Sequence, residues 1–120
     1  MLRVEVCSEA LRSWVALTGE LDLASAPHLQ HIFDQLCRSG FQEVVLDLAG
    51  VDFFSAIGLE MFVRVDDQLR AAGGRLILHR PGRLVRRILA ITELDTVLTV
   101  QPATSPGRDY AATNGLGEAS

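Results

Sequence analysis

A chain of 120 residues, 48% of them apolar, has room for one domain and enough aliphatic material for a real core, which excludes disorder throughout. The net charge of −4 argues against a general nucleic-acid binder, whose affinity rests on neutralising phosphates, and all eleven basic residues are arginine. No apolar run approaches the ~18 residues of a membrane-spanning helix, and two cysteines are too few for a disulfide framework or a zinc site.

In chain order, Leu2, Val4 and Val6 alternate with Arg3, Glu5 and Cys7, predicting a half-buried strand over 2–7. Trp14-Val15-Ala16-Leu17-Thr18 predicts a second strand over 12–19, ending at Gly19. Ser25 offers a helix cap, and Pro27 suits a first helical turn because its missing N–H costs nothing there. Leu29, Ile32, Phe33 and Leu36 recur at helical spacing, so an amphipathic helix is predicted over 26–38, stopped by Gly40. Glu43 to Leu48 reads EVVLDL with little alternation, the pattern of a central strand covered on both faces.

A second helix is predicted over 56–72, with Met61, Phe62, Val65, Leu69 and Ala72 toward the core. Glu60, Arg64, Asp67 and Gln68 occupy its opposite side, with Glu60–Arg64 as an i,i+4 pair. Gly73-Gly74 ends it. Arg75 to His79 gives a fourth strand, with His79 expected at the end of an edge strand. Pro81-Gly82 leads into a third helix buried through Leu84, Val85, Ile88 and Leu89, and Thr96 to Val100 supplies the last strand. The order β-β-α-β-α-β-α-β implies a single-domain α/β fold on a mixed sheet, with helices packed on it and right-handed later crossovers. The domain is expected to span 1–100. Residues 101–120 carry few large apolar side chains and are expected to form a flexible tail.

Catalytic signatures are missing from the sequence. No G-x-S-x-G elbow, phosphate-cradling GxxxxGK or dinucleotide glycine pattern occurs, so neither an enzyme nor a cofactor is expected. His28 and His31, with Asp34 beside them, have a spacing that metals use but lack a third cluster of ligands, so no metal is expected. Arg80, Arg83, Arg86 and Arg87 read as the solvated face of the third helix. Cys7 ends a predicted strand and Cys37 a predicted helix, which would allow a redox-sensitive pair at one edge of the domain. The opening Met1-Leu2-Arg3-Val4-Glu5 lacks the apolar block of a signal peptide, making the cytoplasm the expected location and leaving no role for a membrane.

The informative stretch runs from Val44 to Leu59, where a buried strand turns into the start of the second helix. Unsatisfied N–H groups and a partial positive charge gather at such a terminus, and Gly58 would let another backbone approach. Here the sequence resembles the STAS family of anti-sigma-factor antagonists. The resemblance covers about residues 2–100. It includes Thr18-Gly19-Glu20-Leu21-Asp22, the Val-Leu-Asp-Leu strand and the Ser55–Leu59 turn, then Leu69-Arg70-Ala71-Ala72-Gly73-Gly74-Arg75-Leu76, and closes on Val85-Arg86-Arg87-Ile88-Leu89-Ala90-Ile91-Thr92.

The resemblance implies a regulator that binds an anti-sigma factor, often a serine kinase of the histidine-kinase-like ATPase type, and so frees a sigma factor. In the family that kinase phosphorylates a hydroxyl at the start of the second helix and a phosphatase reverses it. The added charge weakens docking. By this likeness the partner surface comprises Asp22, Ser55, Ala56, Ile57, Gly58, Leu59 and Val63. Asp22 has turn chemistry as its alternative role, and Leu59 and Val63 the rim of the core. The family turn places its phosphoacceptor two residues before the glycine. Ala56 stands there without a hydroxyl, and Ser55 holds the usual aspartate position. Three outcomes stay open: binding without a phosphate switch, Ser55 as acceptor one residue early, and redox control through Cys7 and Cys37 or loss of partner exchange. Ser55 is also a candidate helix cap. A STAS subunit of a transport or stress-sensing assembly, and a small-molecule or nucleotide sensor, are the alternative functions.

Overall fold

The computed structural model describes residues 1–101. Two strands, β1 (Leu2–Glu9) and β2 (Arg12–Leu21), form an antiparallel hairpin. Then come α1 (Ala26–Arg38), β3 (Glu43–Phe54), α2 (Ala56–Ala71), β4 (Arg75–His79), α3 (Arg83–Ile91), a 3-10 turn at Leu94–Thr96 and β5 (Thr99–Gln101). The predicted element order and mixed sheet hold. Residues 102–120, where the flexible tail was expected, lie outside the described residues, and Gln101 belongs to β5.

The strands lie in the order β1-β2-β3-β4-β5, and β2 through β5 run parallel. Each crossover therefore steps one strand in the same direction. Right-handed crossovers stepping one way put every helix on the same face of the sheet. The buried side chains agree: Leu29 and Phe33 of α1, Phe62 and Val65 of α2, and Val85 and Leu89 of α3 join one core with Val15, Leu46 and Leu78. Phe62 at its centre meets Phe33 edge-on, with ring centroids 6.5 Å apart, and Phe54 at 5.4 Å.

The expectation that β3 is covered on both faces holds, with the helices on one face only. The other face carries a smaller cluster of Trp14, Val45 and Ile77. Beside it Glu43 bridges Arg12 at 2.6 Å and Arg75 at 3.3 Å, and Asp47 accepts from Arg80 Nη2 at 2.7 Å. EVVLDL lacks alternation because this second face is apolar and buried too, though not by a helix.

Several boundaries also move. β2 and β3 run on to Leu21 and Phe54, with register shifts between Ala16 and Thr18 and between Gly19 and Glu20, so the turn expected after Leu48 is strand. The last strand starts at Thr99, because Leu94–Thr96 winds into the 3-10 turn. His79 is internal, since β4 lies between β3 and β5. Ala72 and Leu84 are exposed rather than buried. The expected Glu60–Arg64 pair is absent among the described residues; Arg64 reaches Gln30 on α1 at 3.3 Å. The ion pair that α2 does form is Asp66–Arg70, at 2.7 Å. Asp66 is 1% exposed and also accepts the Leu76 N–H at 3.0 Å, pinning α2 to the start of β4.

Candidate docking site at the entrance of α2

The C-terminal ends of β2 and β3 deliver the chain to the site together. Leu21 pairs with Phe54, and the Ser55 N–H donates to the Leu21 carbonyl at 3.1 Å. Asp22, next along from Leu21, is thereby held against the entrance of α2. Sequence and structure agree that this strand-to-helix corner is one place.

Asp22 does turn chemistry there. Its Oδ1 accepts the Ser25 N–H at 3.0 Å, while Ser25 Oγ accepts the Asp22 N–H at 3.0 Å and lies 2.9 Å from the Glu20 carbonyl. The Ser25 N–H, and then the Ser25 hydroxyl, which donates to the same Oδ1 at 3.0 Å, favour the ionised carboxylate and hold the Asp22 pKa below its ordinary value. The reciprocal Asp22–Ser25 pair shapes the turn into α1. It does so instead of a side-chain cap on α1 itself, which Ser25 does not make.

Ser55 occupies the N-cap position of α2 in extended conformation, with φ −108° and ψ 171°, yet its side chain makes no cap hydrogen bond. Its Oγ is buried and has no hydrogen-bond partner. The capping role expected of Ser55 is therefore unfilled, and its hydroxyl is turned away from solvent. Ala56, the first residue of α2, is exposed. Gly58 is buried and faces inward. A Cβ built on it would lie 2.7 Å from Leu21 Cδ2 and 2.9 Å from Phe54 Cε1. Its role is to seat α2 on the strand ends, which replaces the expectation that it opens the helix to a partner's backbone.

Outward from Gly58, α2 borders two grooves. One, of about 550 Å³, is lined by Ala56, Leu59, Glu60, Val63, Arg64, Asp67 and Leu94. The other, of about 190 Å³, runs between α1 and α2 and includes Leu23, Pro27, Ile57 and Arg64. Leu59 is buried at the floor of the first and Val63 half-buried in its wall, so both serve the core's rim and the groove at once. The larger groove has an apolar centre and a rim of Glu60, Arg64 and Asp67, the layout of a protein-docking surface.

The sequence alone did not bring Leu94, Leu23 or Phe53 to this corner. Leu94 follows α3 and reaches the groove through the 3-10 turn. Leu23 and Phe53 are 75% and 48% exposed. A leucine inside the Asp22–Ser25 turn, with nothing to pack on locally, was the available signal.

The remaining candidates lie elsewhere. His28 and His31 are exposed on α1, and among the described residues no three His, Cys, Asp or Glu side chains are grouped to hold a metal. Cys7 pairs in register with Trp14, on the helix-free face, while Cys37 packs against the helix-covered core. The sheet separates the two free thiols, so the expected redox pair is not formed. Burial, with the Asp34 carboxylate beside it, also pushes the Cys37 thiol up, away from the reactive thiolate.

The fold is a two-layer α/β domain, with one face of a five-stranded sheet covered by three helices. Residues 7–105 match the STAS domain, and the chain belongs to that family. A Thermotoga neapolitana protein named as an anti-sigma factor antagonist is 28% identical over 88 residues, 72% of this chain and 77% of its own. The crystal structure of an anti-sigma factor antagonist from Mycobacterium paratuberculosis superposes with a TM-score of 0.79 at 24% identity, covering 95% of this chain and 93% of that one. The structure of SpoIIAA, a Bacillus anti-sigma factor antagonist, in its unphosphorylated form gives 0.75 at 16% identity, covering 96% and 99%. At these identities the two structures establish the shared fold.

Proposed function

We propose that this chain is an anti-sigma-factor antagonist of the cytoplasm that docks through the α2 entrance and is not shut off by phosphorylation there. The relatives' names point to an anti-sigma factor as the partner, and the STAS resemblance to one of the serine-kinase, histidine-kinase-like ATPase class. The observation that carries the reading is the groove of about 550 Å³ that begins at Ala56. It offers Ala56, Leu59 and Val63 to a partner at the place where the family pattern has a phosphoacceptor hydroxyl.

A phosphate at that position would put nearly two negative charges beside Glu60 and Asp67, where desolvation and repulsion oppose docking. Ala56 cannot carry it, and the Ser55 hydroxyl is turned inward. A kinase–phosphatase cycle therefore has no acceptor at this corner, and control passes to the amount of the protein.

The test is calorimetric titration against each purified anti-sigma factor of the source cell, with mass spectrometry after incubation with ATP. Binding without a phosphopeptide is expected for the native chain. Ala56→Asp should cost about 2 kcal/mol or more, roughly thirtyfold in affinity, by burying an unpaired charge. Ala56→Ser should become phosphorylated where the partner is a kinase. A phosphate on Ser55 of the native chain would overturn the proposal that the corner has no acceptor.

A further inference from the structure

Among the described residues β1 is one edge of the sheet, and all of Leu2–Glu9 pairs with β2 on one side only. Exposed edges of this length are ordinarily blunted by proline, charged side chains or a bulge. β1 has no proline and its register with β2 runs without a shift, while its charges, Arg3, Glu5 and Glu9, are of both signs.

The direction of its free groups follows from one bond. The Glu20 N–H donates to the Met1 carbonyl at 3.2 Å, one step beyond the Leu2–Gly19 pair of the ladder. Antiparallel pairs alternate between those that exchange main-chain bonds and those that do not. Arg3, Glu5, Cys7 and Glu9 therefore turn their N–H and C=O toward β2, and Leu2, Val4, Val6 and Ser8 turn theirs outward. Val6 is also 45% exposed at this edge, although Leu2 and Val4 beside it pack on the core.

We infer that a second copy of this chain pairs antiparallel along β1, about a two-fold axis at Val6. Such an axis places Val6 opposite its own copy once, and Val4 opposite Ser8, Arg3 opposite Glu9 and Glu5 opposite Cys7 twice each. Val4, Val6 and Ser8 then bond through the groups that point outward, and Arg3 meets Glu9 with opposite charge. Other axes are poorer. One at Glu5 sets that carboxylate against itself, and one at Cys7 opposes Glu5 to Glu9. One at Val4 leaves Ser8 and Glu9 without partners. Charge complementarity and the parity of the free groups select the same register. The two sheets join into one, and the α2 grooves, which lie over the middle strands, stay open. The inference is independent of the function proposed above.

The test is sedimentation velocity on the full chain across a concentration series, where a reversible monomer–dimer equilibrium is expected. Val6→Pro removes an outward N–H and no bond to β2, and Val6→Lys places a charge on the axis. Both should sediment as monomers, with circular dichroism and melting temperature close to the native chain. Register is read by cross-linking in a Cys37→Ser background with oxidised glutathione. Glu5→Cys sets a thiol opposite Cys7 of the second copy and should cross-link at least tenfold faster than Glu9→Cys, which faces Arg3. A monomer at every concentration, a dimer that persists in both folded Val6 variants, or equal cross-linking of the two cysteine variants would each overturn the inference.

Discussion

Replacing Gly58 by alanine tests how tightly α2 is seated on the strands beneath it. The added methyl would lie 2.7 Å from Leu21 Cδ2, 3.2 Å from Leu21 Cγ and 2.9 Å from Phe54 Cε1. Leu21 is fully buried and Phe54 is 4% exposed, so neither side chain has solvent to swing into. Overpacking of this kind costs about 1–3 kcal/mol. Alanine's advantage over glycine within a helix returns about 0.8–1 kcal/mol at most. The balance is a loss of about 0–2 kcal/mol, centred near 1, or roughly 5 °C in melting temperature at the centre for a domain of this size. Urea and thermal unfolding followed by circular dichroism measure it directly. Adding Leu21→Ala makes room for the methyl, so the double variant should be more stable than the sum of the two losses implies, by about 0.5–2 kcal/mol. A Gly58→Ala protein more stable than the native one, or losses that simply add, would show that the corner is loosely packed and refute the inward role of this glycine.

Asp66→Ala should destabilise by about 1–3 kcal/mol, because the buried Leu76 N–H loses its acceptor; urea titration reads the change. Glu43 has a lowered pKa: burial alone would raise it, but hydrogen bonds and charge from Arg12, then Arg75, outweigh that cost. A carboxylate depressed in the folded state stabilises above its unfolded pKa, and that share is lost as pH falls toward the folded value. Glu43→Gln should therefore be less stable near neutrality, with a flatter acid limb in urea midpoint against pH. Ser55→Ala removes a buried hydroxyl that has no partner, so stability should hold or rise slightly. A working helix cap would instead cost about 1 kcal/mol on the same change.

Element order was legible because α1 and α2 each show a period and a stop. Leu29, Phe33 and Leu36 repeat on α1, and Gly73, at φ +90°, ends α2 in the left-handed conformation that few other residues adopt. Strand ends were less legible. Val51, Phe53 and Phe54 extend β3 beyond the register shifts, which break the simple alternation that reveals a strand. Asp66 was also hidden: a lone acid on an amphipathic helix reads as solvated, and only the approach of β4 shows that its carboxylate is buried as an acceptor. At the corner, Ala56 and Asp22 fell where the pattern put them. The directions of the Ser55 hydroxyl and of Gly58 depend on how β2 and β3 end together, which no local spacing encodes.

The same topology explains why the proposed docking would fall on one helix. With the strands in sequential order and every crossover stepping one way, three helices must share one face, and α2 takes the middle place between α1 and α3. Its inner side is committed to Phe62, Val65 and Leu69, and its seat is fixed by Gly58 at one end and Asp66 further along. A helix so anchored moves little when a partner arrives, so little ordering entropy opposes association. Its outer side meets grooves toward α1 and toward the 3-10 turn, both opening near Ala56 and Ile57. A charge added at position 56 would enter the rim of the larger groove without disturbing the core. Under the proposed function, that makes the position suited to a switch wherever it carries a hydroxyl, and to uninterrupted binding where it carries a methyl.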